Sequence, residues 1–157
     1  MNIDWKTLFF DANGRIGRQS FWIGWLALLA VNVVLGWIPV IGWILSLVAI
    51  YASVCVFSKR LHDMGKSGWL QVWPMVISIA LVVVSLAFMG GSAAMMGARG
   101  MEQGVDPAAV GGMGLGALML GLAFLIGVAF TLWVGLTPSQ PEANKYGPAP
   151  AAPAIAA

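Results

Sequence analysis

FWIGWLALLAVNVVLGWIPVIGWILSLVAIYASVCVFS, residues 21–58, holds 38 consecutive positions without a formal charge. As one straight helix this run would be about 57 Å long, nearly twice the hydrocarbon core of a bilayer. It must therefore turn. Gly36-Trp37-Ile38-Pro39-Val40-Ile41-Gly42 marks the place, because proline removes a backbone donor and the two glycines permit a tight reversal. The run thus reads as a hairpin of two membrane spans, about 20–37 and 41–58.

Working outward, a second uncharged stretch covers Leu70 to Ala98 and a third Ala108 to Thr137, predicting spans of about 74–92 and 115–136. Pro74 suits the first helical position of the third span; if that helix begins earlier, Pro74 kinks it. Gly90 to Gly114, rich in Gly, Ala and Met, reads as a flexible loop into which the helix ends can extend. The fold class expected is an all-α integral membrane protein. Residues 1–19 form a cytoplasmic interfacial arm, 20–137 a four-span membrane domain, and 138–157 a Pro/Ala-rich cytoplasmic tail read as a disordered or extended exit. Within the arm, Trp5, Leu8, Phe9 and Ala12 share one helical face, the pattern of a short interfacial helix.

Composition agrees with this reading. The chain has 157 residues, 60% hydrophobic and 9% charged, where soluble domains carry about a quarter charged residues. A water-soluble globule and a disordered chain are both excluded. Eight Lys and Arg are too few for a nucleic-acid surface, so no nucleic-acid partner is expected. The single cysteine, Cys55, permits no internal disulfide and reads as a small buried hydrophobe. Entry of the first apolar run straight into more apolar sequence argues against a cleaved signal peptide.

Four spans put both termini on one side. Lys6, Arg15, Arg18, Lys59, Arg60, Lys66 and Lys145 then share that side and Arg99 alone lies opposite, which predicts that both termini are cytoplasmic. Trp22, Trp25, Trp69, Trp73 and Trp133 would sit at the inner interface, and Trp37 and Trp43 at the outer turn. Small residues at helical spacing, Ala123, Gly127, Thr131 and Gly135 in span four and Ser46, Ala49 and Ser53 in span two, mark faces for helix packing within the chain or between two copies.

The informative polar residues lie in two segments, Asn13-Gly14-Arg15-Ile16-Gly17-Arg18-Gln19-Ser20-Phe21-Trp22 and Lys59-Arg60-Leu61-His62-Asp63-Met64-Gly65-Lys66-Ser67-Gly68-Trp69. With their patterns Gly-Arg-x-x-Arg-x-x-Phe-Trp and Arg-Leu-His-Asp-x-Gly-x-Ser-Gly-Trp, the chain resembles the bacterial domain-of-unknown-function 805 family of small inner-membrane proteins. Asn144-Lys145-Tyr146-Gly147-Pro148 resembles a third family motif, with Ala149 where an acidic residue is common and Ser139-Gln140-Pro141-Glu142 replacing a Gly-rich lead-in. The resemblance implies an inner-membrane location and supplies neither an activity nor a catalytic residue.

Chemically, Arg15, Arg18, Arg60, His62, Asp63, Lys66 and Ser67 form a candidate site for an anionic headgroup, a phosphate or a partner. Guanidinium forks bind phosphate at two points, and glycine lets backbone N–H groups approach. The plainer alternative makes the basic residues topology anchors, pairs Asp63 with Arg60 three residues away, and uses Ser67 as a helix cap. His62 beside Asp63 falls short of a metal site, and neither a nucleophile elbow nor a phosphate-loop or dinucleotide motif is present, so no catalytic residue, metal or cofactor is expected. The ranking is a non-catalytic accessory or scaffold protein first, a small oligomeric transporter or channel second, and a membrane enzyme third. Membrane lipids, anionic headgroups among them, a second copy and another membrane protein are the partners this allows.

Overall fold

The computed structural model describes residues 4–38, 40–99, 104 and 106–150. Among the described residues five α-helices follow in order: α1 Trp5–Phe10, α2 Arg18–Leu35, α3 Ile41–Asp63, α4 Val72–Arg99 and α5 Pro107–Leu136, with a 3-10 turn at Gly68–Gln71 leading into α4. α2, α3, α4 with its lead-in, and α5 are long and apolar enough to cross a membrane. The outward side chains suit lipid rather than water: Trp43 is 80%, Leu118 71% and Phe124 70% exposed.

The chain divides into two compact units. The first holds Met1–Gln71 and Leu132–Ala157. In it, Asp4 caps α1 by accepting hydrogen bonds from the Lys6 and Thr7 amides at 3.0 and 3.4 Å. Leu8 is buried beside Gly24 and Val56, Trp5 stacks on Phe9, and the buried Lys59 Nζ donates to the Thr7 carbonyl. α2 and α3 form the expected hairpin. The Gly36 amide bonds Asn32 O at 3.0 Å, and Gly42 lies so close to the Leu35 carbonyl that no Cβ fits. Pro39, assigned to this turn from sequence, lies outside the described residues. Phe21 is fully buried and meets Phe57 edge-on at 5.1 Å, with Val56, Leu61, Cys55 and Val134 also at zero exposure.

The second unit, Val72–Thr131, pairs α4 with α5. Ser85 Oγ donates to Gly116 O at 2.7 Å and Ser78 Oγ to Ala123 O at 3.4 Å, while Ser92 lies against Gly112. Falling numbers on one helix meet rising numbers on the other, so the pair is antiparallel. The serines recur every seven residues and face small residues, which lets the backbones approach closely.

Three expectations change. Gly90 to Gly114 is mostly helix: α4 continues to Arg99 and α5 starts at Pro107, capped by Asp106, whose carboxylate accepts from the Ala108 amide at 2.9 Å. Apolar Ala and Met extend a helix freely, and Pro107 at the first position, not composition, sets the break. Residues 100–103 and 105 lie outside the description. Pro74 is the third residue of α4, within the first turn, where a missing N–H leaves no bond unmade. Residues 138–150 are no free exit but fold back onto α3, as described below. Among the predicted small-residue positions, Ala123 and Gly135 are packed, Gly127 faces open space, and the Ser46 and Ser53 hydroxyls bond their own helix at Gly42 O and Ala49 O.

A Cβ at Gly135 would stand 2.5 Å from Trp22 Cζ2 and 3.0 Å from the buried Phe21 ring. Gly135→Ala is therefore expected to destabilise the protein by about 1–3 kcal/mol through overpacking. Gly127→Ala, with nothing within 4 Å, is expected to be neutral or stabilising by up to ~1 kcal/mol. Thermal unfolding of both variants in detergent checks the pair.

Candidate functional site

The site begins with how α3 stops. Gly65, at φ +72, follows the C-cap Met64; the Lys66 amide bonds Leu61 O at 2.8 Å and the Gly65 amide bonds His62 O at 3.0 Å. This is the Schellman termination, and it needs a residue that accepts a left-handed conformation. Gly68 answers a different demand: its Cβ would lie 2.9 Å from Ser58 Oγ and 3.2 Å from His62 Nε2. Both motif glycines thus shape the chain itself.

On the last turn of α3, Arg60 and Asp63 stand three apart on one face, and neither is exposed at all. Asp63 divides its carboxylate between two arginines. Oδ1 accepts from Arg15 Nε at 3.2 Å and Nη2 at 3.1 Å, and Oδ2 accepts from Arg60 Nη1. Arg15 reaches the cluster from the loop after α1, just beyond Gly14 at φ +87, and its side chain is 1% exposed.

Two buried cations share one anion, and the remaining guanidinium donors find carbonyls and one hydroxyl. Arg60 Nε donates to Val134 O at 3.1 Å, Nη2 to Thr137 O, and Nη1 also to Ser139 Oγ at 3.0 Å and Ile16 O at 3.5 Å. Arg18 Nη1 donates to Leu136 O at 3.4 Å. α5 has no basic residue in its last turn, so its unsatisfied terminal carbonyls and the negative end of its dipole are met from α3 and α2 instead. Arg15 Nη1 donates to Glu142 O at 2.7 Å and Gly147 O at 3.3 Å, and Nη2 to Gln140 O at 2.6 Å.

Those last carbonyls belong to the tail, whose Pro/Ala-rich sequence predicts a disordered or extended exit. The Gln140 amide bonds Asp63 O at 3.0 Å, Asn144 Nδ2 donates to His62 O at 2.9 Å, and Asn144 and Gly147 close a small turn. Tyr146 stacks on His62 at 3.8 Å, with the rings 7° from parallel. His62, half-buried, also places Nδ1 3.3 Å from Gly14 O.

Of the seven candidate residues, Arg15, Arg60 and Asp63 form the buried cluster, and Arg18 and His62 border it. Lys66 is exposed, with Nζ 5.7 Å from the centre of the Trp133 ring. Ser67, also exposed, accepts from the Trp69 amide at 3.4 Å where the 3-10 turn begins. Sequence reasoning missed Ser139, which accepts from Arg60, and the backbone carbonyls of Gln140 and Glu142, which accept from Arg15. The one available signal was the Asn144–Pro148 motif, which marks a built segment inside a Pro/Ala-rich tail.

A multi-span helical protein whose N-terminal loop, third helix and tail are tied by a buried Arg–Asp–Arg cluster is thus defined. The chain belongs to the family described as Protein of unknown function (DUF805), whose model matches residues 9–96, both signature segments included. The Asn144–Pro148 motif and α5 lie beyond the matched range. No curated protein and no solved structure matches.

Asp63→Asn leaves two buried arginines without their anion and is expected to cost about 3–5 kcal/mol. Arg60→Lys keeps the charge but abandons carbonyls at the end of α5 and is expected to cost about 1–3 kcal/mol. Scanning fluorimetry in detergent, using the intrinsic tryptophans, checks both; unchanged melting in either would remove the structural role assigned here.

Proposed function

We propose that this protein is a non-catalytic scaffold of a bacterial inner membrane, with both termini in the cytoplasm and a cationic rim that contacts anionic lipid headgroups. The observation that carries this reading is the engagement of the guanidinium groups of Arg15 and Arg60 with acceptors inside the chain. Such a cluster holds segments together rather than offering a reactive group. Among the described residues, the cations facing outward include Lys6 on α1 and, at the borders of the cluster and its tail, Arg18, Lys66 and Lys145. Trp69, 79% exposed, and Trp73 lie nearby in sequence as interfacial anchors.

Orientation has two supports. The start of α2 and the ends of α3 and α5 meet at one cluster, as an even number of crossings requires, and seven of the eight basic residues share that side. A reporter active only in the cytoplasm is expected to work after Ala157, and one active only outside to work near Glu102. The reverse pattern would defeat the orientation.

Headgroup contact is tested by native mass spectrometry of protein extracted from membranes containing phosphatidylglycerol. Replacing Arg18, Lys66 and Lys145 together by Gln is expected to reduce retained anionic lipid by about tenfold or more, since each such cation near the surface contributes about 1 kcal/mol. Equal retention would sink the headgroup role. Ion flux through purified protein in liposomes would replace the scaffold reading by a channel or transporter.

A further inference from the structure

The cluster and the tail together carry a second inference, which does not depend on the headgroup contact just proposed. Thr137 to Gly147 forms a strap over the two buried arginines. It supplies five acceptors: the carbonyls of Thr137, Gln140, Glu142 and Gly147 and the hydroxyl of Ser139. Three of these serve Arg15, whose other partner is Asp63. Arg60 would keep Val134 O, Ile16 O and Asp63 with the strap absent.

The strap itself is lightly held. Pro138, Gln140, Pro141, Glu142, Ala143 and Lys145 are all exposed, so little apolar surface is buried along it. Its attachment comes from the Gln140 amide on Asp63 O, Asn144 on His62 O, the Tyr146–His62 stack, and the arginine bonds themselves. Segments with few buried apolar contacts open at the lowest free energy. Opening this one would expose two guanidinium groups that carry one positive charge more than Asp63 neutralises. Neutral carbonyls answer that excess only through their dipoles, whereas an oxyanion answers it with charge and with shorter, stronger bonds.

We infer that the strap is a built-in lid on a phosphate site: its carbonyls occupy the positions on Arg15 and Arg60 that phosphate oxygens take when the strap lifts. The ligand is a phosphate group, either of a lipid headgroup or of a soluble compound. Binding only to the open form shifts the population toward it, so any change that weakens closure raises the apparent affinity. Tyr146 is the lever, because its ring holds the strap through His62, while the bonds to the arginines come from its neighbours' carbonyls.

The test uses the full chain in nanodiscs with Cys55→Ala and a nitroxide on Glu142→Cys, a position whose side chain is exposed and whose backbone carbonyl is retained. One arm adds inorganic phosphate to phosphatidylcholine discs; the other uses discs containing phosphatidic acid with no free phosphate. The expected result is a saturable mobile component absent from sodium chloride controls of equal ionic strength. A response in the first arm alone assigns a soluble phosphate, in the second alone a headgroup, and in both the shared chemistry. Tyr146→Ala is expected to lower the half-saturating concentration by about threefold to tenfold, the worth of one ring stack. Arg15→Gln is expected to leave the label mobile from the start and unresponsive. A spectrum unmoved in both arms, or moved equally by chloride, overturns the inference, as does an unchanged half-saturation in Tyr146→Ala.

Discussion

The end of α5 makes a demand that much of the first unit answers. A helix leaves its last carbonyls unpaired and its negative pole exposed, and the last turn of α5 carries no basic residue of its own. Arg60 meets that need from α3, but a guanidinium at zero exposure requires a nearby anion. Asp63 is that anion, one helical turn away. Its second oxygen then draws in Arg15, which brings the N-terminal loop with it and, through the carbonyls of Gln140, Glu142 and Gly147, the tail. Each step follows from leaving no buried polar group alone, so loop, helix ends and tail become one arrangement instead of four anchors.

The two glycines of the second signature fit the same account. Glycine beside arginine and serine invites comparison with a phosphate cradle, in which backbone N–H groups point at the ligand. Here the Gly65 and Lys66 amides already bond His62 O and Leu61 O, and Gly68 is held close to Ser58 and His62. These positions end α3 sharply after Asp63, which fixes the carboxylate between the arginines. Recognition of an outside anion therefore falls to side chains, not to the loop backbone.

The parts legible in the sequence were those written in hydropathy and in charge. A charge-free run too long for one crossing required the hairpin, and the i, i+3 spacing of Arg60 and Asp63 announced their pairing. The boundary at 90–114 was obscured because Gly, Ala and Met are ambiguous between loop and helix when the surroundings are apolar; only Pro107 and its cap Asp106 decided it. The tail was obscured for another reason. Arg15 binds it through backbone carbonyls, which every residue possesses, so no side-chain pattern at Gln140 or Glu142 could reveal the contact.

Counting basic residues by side treats arginine and lysine alike, but the structure uses them differently. Arg15 and Arg60 are buried among several acceptors each, whereas Lys6, Lys66 and Lys145 are exposed. A planar guanidinium with five donors can satisfy a carboxylate and several carbonyls at once, and it is less strongly hydrated than an ammonium. Lys59 shows the limit of the alternative: it too is buried, yet it serves the Thr7 carbonyl, a contact a point charge can make. Arg18 marks the boundary between the roles, exposed to the outside while reaching Leu136 O. The same set of charges that orients a chain by the positive-inside rule is thus divided by side-chain geometry, with forks turned inward to join segments and most ammonium groups left at the surface for headgroups.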